Sequence, residues 1–159
     1  MSSGVPTCKS ERDPRLGKKP AWLLIQASDL MFTARLEIEA APRTCAAFQQ
    51  QLPLNTKLLH CRWSGEGVWI PLGGWDSMWC VENPLSRPKP GQLLLYGAGL
   101  SEPELLIPYG DCTFNSKFGE LIGNHFLTIV DMNDQLAELG HLVLWHGAQD
   151  CHIEPLTEA

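Results

Sequence analysis

The chain is cut by glycine and proline into apolar runs of four to seven residues, and this constrains its fold more than any other feature. AWLLIQ (21–26), KLLHCRW (57–63), GVWI (67–70), SMWCVE (77–82), QLLLYG (92–97), ELLI (104–107), HFLTIV (125–130) and HLVLW (141–145) are strand-sized. Between them stand Gly65, Gly67, Gly73-Gly74, Asn83-Pro84, Pro88, Pro90-Gly91 and Gly97, residues that turn a chain or end a strand. After the polar pair Ser28-Asp29, residues Phe32, Ala34, Leu36 and Ile38 alternate with Thr33, Arg35, Glu37 and Glu39. That period of two marks a strand with one buried face, paired as a hairpin with the run before it.

Two segments break the pattern. Pro42 suits a first helical turn, Cys45, Phe48 and Leu52 follow at helical spacing, and Pro53 ends the run. Residues 133–139 (NDQLAEL) form a second short helix, with Asn133 as N-cap and Gly140 as C-cap. Short, closely spaced strands with two short helices predict a mainly β protein, a closed antiparallel barrel of about eight strands. Residues 1–20, rich in Ser, Pro, Gly and charge, read as a flexible arm, and residues 21–159 as the barrel domain.

Composition narrows the function classes. With 159 residues, 44% of them hydrophobic, the chain can build one core. A net charge of -6 disfavours nucleic acid as a partner. No apolar run approaches the roughly 18 residues of a membrane span, and residues 1–20 lack the apolar region of a secretory signal. A cytoplasmic protein with its six cysteines reduced is expected; three disulfides would need an oxidising compartment. No CxxC, GxGxxG, P-loop, GxSxG or HExxH motif occurs, and the spacing of His141, His146, Cys151 and His152 matches no metal-ligand pattern. No cofactor is expected.

Several phrases carry a family resemblance. Ala41-Pro42-Arg43-Thr44 with Phe48 resembles the first helix of the cyclophilin fold. HCRWSGEGVW (60–69), Glu82-Asn83, PKPGQLLLY (88–96), Glu104 with Tyr109-Gly110, GNHF (123–126) and LWHGAQ (144–149) resemble a divergent cyclophilin-like branch, the family of unknown function DUF3830, over residues 22–154. The resemblance implies a closed barrel with helices over its ends. Prolyl-isomerase cyclophilins carry Phe-His-Arg and Gln-Phe-Phe phrases where this chain has Leu59-His60-Cys61-Arg62 and Asn124-His125-Phe126. More distantly, the chain is similar to cyclophilin-like enzymes of the cucumopine synthase type. These condense an amino acid with a keto acid and close a ring by Pictet–Spengler chemistry.

That likeness points to a cofactor-independent enzyme acting on an aromatic amino acid and an aldehyde or keto acid. A non-catalytic small-molecule binder and a prolyl isomerase are the alternatives. The chemistry needs an acid/base group, a clamp for a substrate carboxylate and aromatic walls. Glu104, His125, Glu82 and Glu66 are the candidate proton carriers. Glu104 stands two residues from Glu102, so in an extended chain the two share a side and raise each other's pKa; Glu102 also reads as part of a solvated acidic turn. Glu82 reads first as an acceptor for backbone amides of the Pro-rich turn. If the strand continues through Trp63, His60, Arg62, Ser64 and Glu66 share one face, with Arg62 as the carboxylate clamp; Arg62 and Glu66 read equally as a surface pair. Ser64, Trp69, Tyr109, Asn124, Phe126 and Trp145 complete the expected substrate-binding set, around a dry hollow. His125, alternating with Leu127 and Ile129, points inward on this reading. Exposed Trp and Leu near Gly73–Trp79 are expected to form a homo-oligomer contact.

Overall fold

The computed structural model describes residues 21–73, 80–97 and 99–156. The first hairpin is formed by β1 (Trp22–Ala27) and β2 (Leu30–Leu36), with Ile25 opposite Phe32 and Leu23 opposite Ala34. Helix α1 (Pro42–Gln49) follows, then β3 (Leu54–His60), β4 (Gly65–Pro71), the two-residue β5 (Pro84–Leu85), β6 (Gln92–Tyr96) and β7 (Glu104–Cys112). A small hairpin, β8 (Asn115–Ser116) and β9 (Gly119–Glu120), precedes β10 (Gly123–Asp131), helix α2 (Leu136–His146) and β11 (Gln149–Pro155).

Eight antiparallel strands pair in the cycle β2-β1-β11-β3-β4-β7-β6-β10, and β10 returns to β2 to close the barrel; β5 joins the outside of β10. Closure leaves no free edge among the eight. Alternate residues fill the interior: Ile25, Phe32, Val68, Ile70, Leu93, Leu95, Leu105, Ile107, Phe126 and Ile153 belong to one buried cluster. Both helices join it, α1 through Cys45 and Phe48 and α2 through Leu136, Leu139 and Val143. A second cluster, with Leu94, Tyr96, Leu106, Cys112, Phe114 and Leu121, lies on the other face of β6 and β7, under the β8–β9 hairpin. The barrel is thus filled within and partly clothed without.

The expected barrel and first hairpin are observed. The segment 141–145 is not a strand but the second half of α2, which runs through Gly140. Leu136, Leu139, Gly140 and Val143 are buried at helical spacing. Gly140 is a contact residue, since a Cβ there would lie 2.3 Å from the Tyr109 ring; the helix is capped instead by Gly147, at φ 85°. Residues 149–155, not anticipated as a strand, form β11 between β1 and β3. Half of the candidate strand 77–82 lies outside the described residues, as do the arm at 1–20 and most of the 73–79 contact. Cys45, Cys61, Cys112 and Cys151 are free thiols, whereas Cys80 is disulfide-bonded, a departure from six reduced cysteines. Among the described residues no helix is long and apolar enough to cross a membrane.

Candidate functional site

A cavity of 160 Å³ opens on the outer face of β4 and β7. Its position follows from strand parity. Val68, Ile70, Leu105 and Ile107 point into the barrel, so Trp69 and Glu104 point out. Three connections wall it: the β3–β4 turn with Cys61, Arg62, Trp63 and Ser64, the β6–β7 loop with Ser101 and Glu102, and the β8–β9 hairpin with Asn115, Ser116, Lys117 and Phe118. The cavity therefore joins two carboxylates, two cations and three aromatic rings.

Glu104 is its most perturbed group. Burial, followed by the nearby Glu102 carboxylate, pushes its carboxyl up to about 7. Near neutral pH it exists both as acid and as base. Cys61 also lines the wall, but burial first, then Cys112 and Glu104, push its thiol far up, so it stays protonated and is no nucleophile. Ser64 is committed to structure. Its Oγ donates to the Asn115 carbonyl (3.2 Å) and accepts from the Asn115 amide (3.0 Å), while its own carbonyl accepts from Thr113 N (2.9 Å).

Of the predicted site residues, the cavity unites Glu104, Arg62, Ser64 and Trp69. Arg62 and Ser64 meet in a turn rather than on a continued strand, because β3 ends at His60 and Gly65 takes φ 92°, with no room for a Cβ 2.8 Å from the Asp111 carbonyl oxygen. Glu66 lies elsewhere: its Oε1 accepts from Asp111 N at 2.9 Å, and its side chain lies over Gly110. Tyr109 is separated from Glu104 by parity. It faces the opposite side of β7, where its hydroxyl meets His60 Nε2 at 2.8 Å and its ring packs on Gly140.

The remaining candidates serve other contacts. Glu82 binds the start of α1, accepting from Arg43 N (2.8 Å), Thr44 N (2.9 Å) and Thr44 Oγ1 (2.8 Å). Asn124 is fully buried; its Oδ1 accepts from Glu82 N at 2.9 Å, and its Nδ2 donates to Thr44 Oγ1 (3.0 Å) and Cys80 O (2.7 Å). Phe126 is core, its ring 5.0 Å from that of Phe48. A bulge in β10 between His125 and Leu127 breaks the alternation. His125 therefore leaves the interior and hydrogen-bonds Thr128 Oγ1 at 2.8 Å, and that hydroxyl donates to Glu37 at 2.7 Å. Burial lowers the His125 pKa. Trp145 is 69% exposed on α2, its ring 6.0 Å from that of His141. The expected hollow inside the barrel is filled by side chains, and the cavity lies outside it. Among the described residues no three His, Cys, Asp or Glu side chains stand close enough to hold a metal ion; His152 instead meets Asn55 Oδ1 (2.6 Å) and Glu154 (3.0 Å).

Sequence reasoning missed Trp63, Lys117 and Phe118 and set Glu102 aside. The signal for the hairpin was the polar pair Asn115-Ser116 followed, after two residues, by Gly119.

Fold and cavity together define an antiparallel β-barrel protein with a pocket on the outer face of the barrel wall. The chain belongs to the family described as "Protein of unknown function (DUF3830)", which matches residues 23–154. No curated protein matches it in sequence. Among solved structures it is similar to McbB in complex with tryptophan, with a TM-score of 0.66 and 19% identity over 86% of this chain. The match spans 45% of McbB, so this chain corresponds to less than half of that longer protein. It is also similar to the hypothetical protein AF2241 from Archaeoglobus fulgidus, with a TM-score of 0.60 and 16% identity over 88% of this chain and 99% of that one. At these identities the likeness is one of fold.

Proposed function

We propose that the cavity binds an aromatic amino acid and that the protein joins it to an aldehyde or keto acid in a Pictet–Spengler ring closure. The observation that carries this reading is Glu104, a carboxyl poised near neutrality in the wall of a cavity lined by aromatic rings. The amine nitrogen attacks the carbonyl carbon and water leaves, giving an iminium ion. A carbon of the electron-rich ring then attacks the iminium carbon, forming the new C–C bond. The proton on that ring carbon passes to the Glu104 carboxylate, and aromaticity returns. Protonated Glu104 serves the earlier step by donating to the departing water.

Glu102 and Glu104 favour the cationic amine and iminium by charge. Arg62 offers a planar fork to the substrate carboxylate, and Trp69 offers a flat wall. The fold shared with McbB, solved in complex with tryptophan, supports an aromatic amino acid as the ligand class.

Mass spectrometry of the protein with tryptophan or histidine and a carbonyl partner tests the proposal. The expected product has the mass of the two reactants less one water, and Glu104→Gln is expected to lower its rate about 10²–10⁴-fold. Binding without conversion would reduce the protein to a small-molecule binder. Acceleration of X-Pro isomerisation would point to the prolyl-isomerase alternative. Neither binding nor conversion would overturn the reading.

A further inference from the structure

The β8–β9 hairpin forms its own two-stranded sheet with no strand pairing to the barrel. Its base is fixed. Phe114 and Leu121 are buried on either side of it, Phe114 N donates to Ser86 O at 2.7 Å, and Ser64 and Asn115 bond reciprocally. Glu120 in β9 accepts from Ser86 Oγ at 2.6 Å, and at the tip Ser116 Oγ accepts from Phe118 N and donates to Gly119 O, each at 3.1 Å. Two-residue strands are marginal by themselves.

Phe118 at this tip is 71% exposed and Trp63 on the β3–β4 turn is 54% exposed, yet both line the cavity. A single exposed apolar residue needs no explanation. Two large rings, brought to one cavity by separate connections and left largely exposed among the described residues, make an incomplete aromatic enclosure. The 160 Å³ between the walls is close to the roughly 150 Å³ that suffices for benzene. One ring fits, and the charged groups are left for the head of the ligand.

We propose that the β8–β9 hairpin is the specificity element of the site, with Phe118 and Trp63 closing on the ring of the bound amino acid. The proposal rests on the reading of the cavity as an aromatic amino-acid site. Ring stacking and burial of both exposed faces then favour the closed hairpin only when an aromatic ligand is present. Aliphatic amino acids forgo the stacking and bind more weakly.

Calorimetric titration of the full chain with L-tryptophan tests it. Phe118→Ala and Trp63→Ala are each expected to raise Kd at least tenfold, and Phe118→Tyr less than threefold. Ile122→Ala, at an exposed residue outside the cavity, is expected to leave Kd unchanged. Tryptophan is also expected to slow amide exchange at residues 116–119. A Kd unmoved by Phe118→Ala or by Trp63→Ala would overturn the grip and leave the amino-acid site standing. A wild-type chain that binds no tryptophan would remove both.

Discussion

Glu104 stands at the start of β7, where one strand residue points outward under the β6–β7 loop. The cavity walls, built by residues distant in sequence, bury it, and Glu102 two positions away adds like charge. The consequence for stability has a definite sign. The folded chain keeps a proton that the unfolded chain, with a carboxyl near 4.5, releases. The stabilising contribution of the protonated form is complete below about pH 4.5 and is lost as pH rises toward 7. Urea midpoints of the wild type and Glu104→Gln at pH 5 and pH 8 measure this. The wild type is expected to lose ground to the variant at the higher pH. His125 and Glu37, both with lowered pKa values, act in the opposite sense and cancel in the difference because both proteins keep them. An unchanged difference between the two pH values would show that Glu104 titrates as an ordinary exposed carboxylate.

Helix α2 shows how a local rule yields to packing. A glycine after an apolar helical run reads as a stop, and the next apolar residues read as a strand. In the structure the helix continues because Leu136, Leu139 and Val143 share one face, and Gly140 on that face admits the Tyr109 ring. Glycine to alanine inside a helix ordinarily stabilises by about 1 kcal/mol. Here the added methyl meets an aromatic ring already bonded to His60, so Gly140→Ala is expected to destabilise by about 1–3 kcal/mol. Thermal unfolding decides the sign. A gain in stability would mean that the ring moves aside at no cost. Helix α1 makes the same point from the other direction. Its N-cap is Ala41, which has no side chain to offer, and the acceptor comes from Glu82, outside the helix.

The whole molecule is tied together by such long-range links. Asn124 in β10, the chain at Cys80–Asn83 and the first turn of α1 meet in one hydrogen-bonded bracket. Glu82→Ala removes three acceptor contacts from α1 and leaves the buried Thr44 hydroxyl with less to bond. It is expected to cost about 2 kcal/mol in chemical denaturation and to leave the proposed ring closure otherwise unaffected. Activity lost without loss of stability would instead return Glu82 to the catalytic set.

Local pattern was enough for seven of the eight barrel strands, the first hairpin, the start of α1 and the closed mainly β architecture, because alternation and turn residues act over a few positions; it missed β11 and read the end of α2 as a strand. It also singled out Glu104, Arg62, Ser64 and Trp69, which share the cavity. It could not place them. Which face of a strand is interior depends on the neighbours that cover it, and the β10 bulge and the β3–β4 turn each reset the count. Tertiary structure alone turned Glu82 and Asn124 into braces, sent His125 to another surface, and brought Phe118 beside Trp63. Residues distant in the chain meet only when the barrel closes, and no short-range periodicity records that meeting.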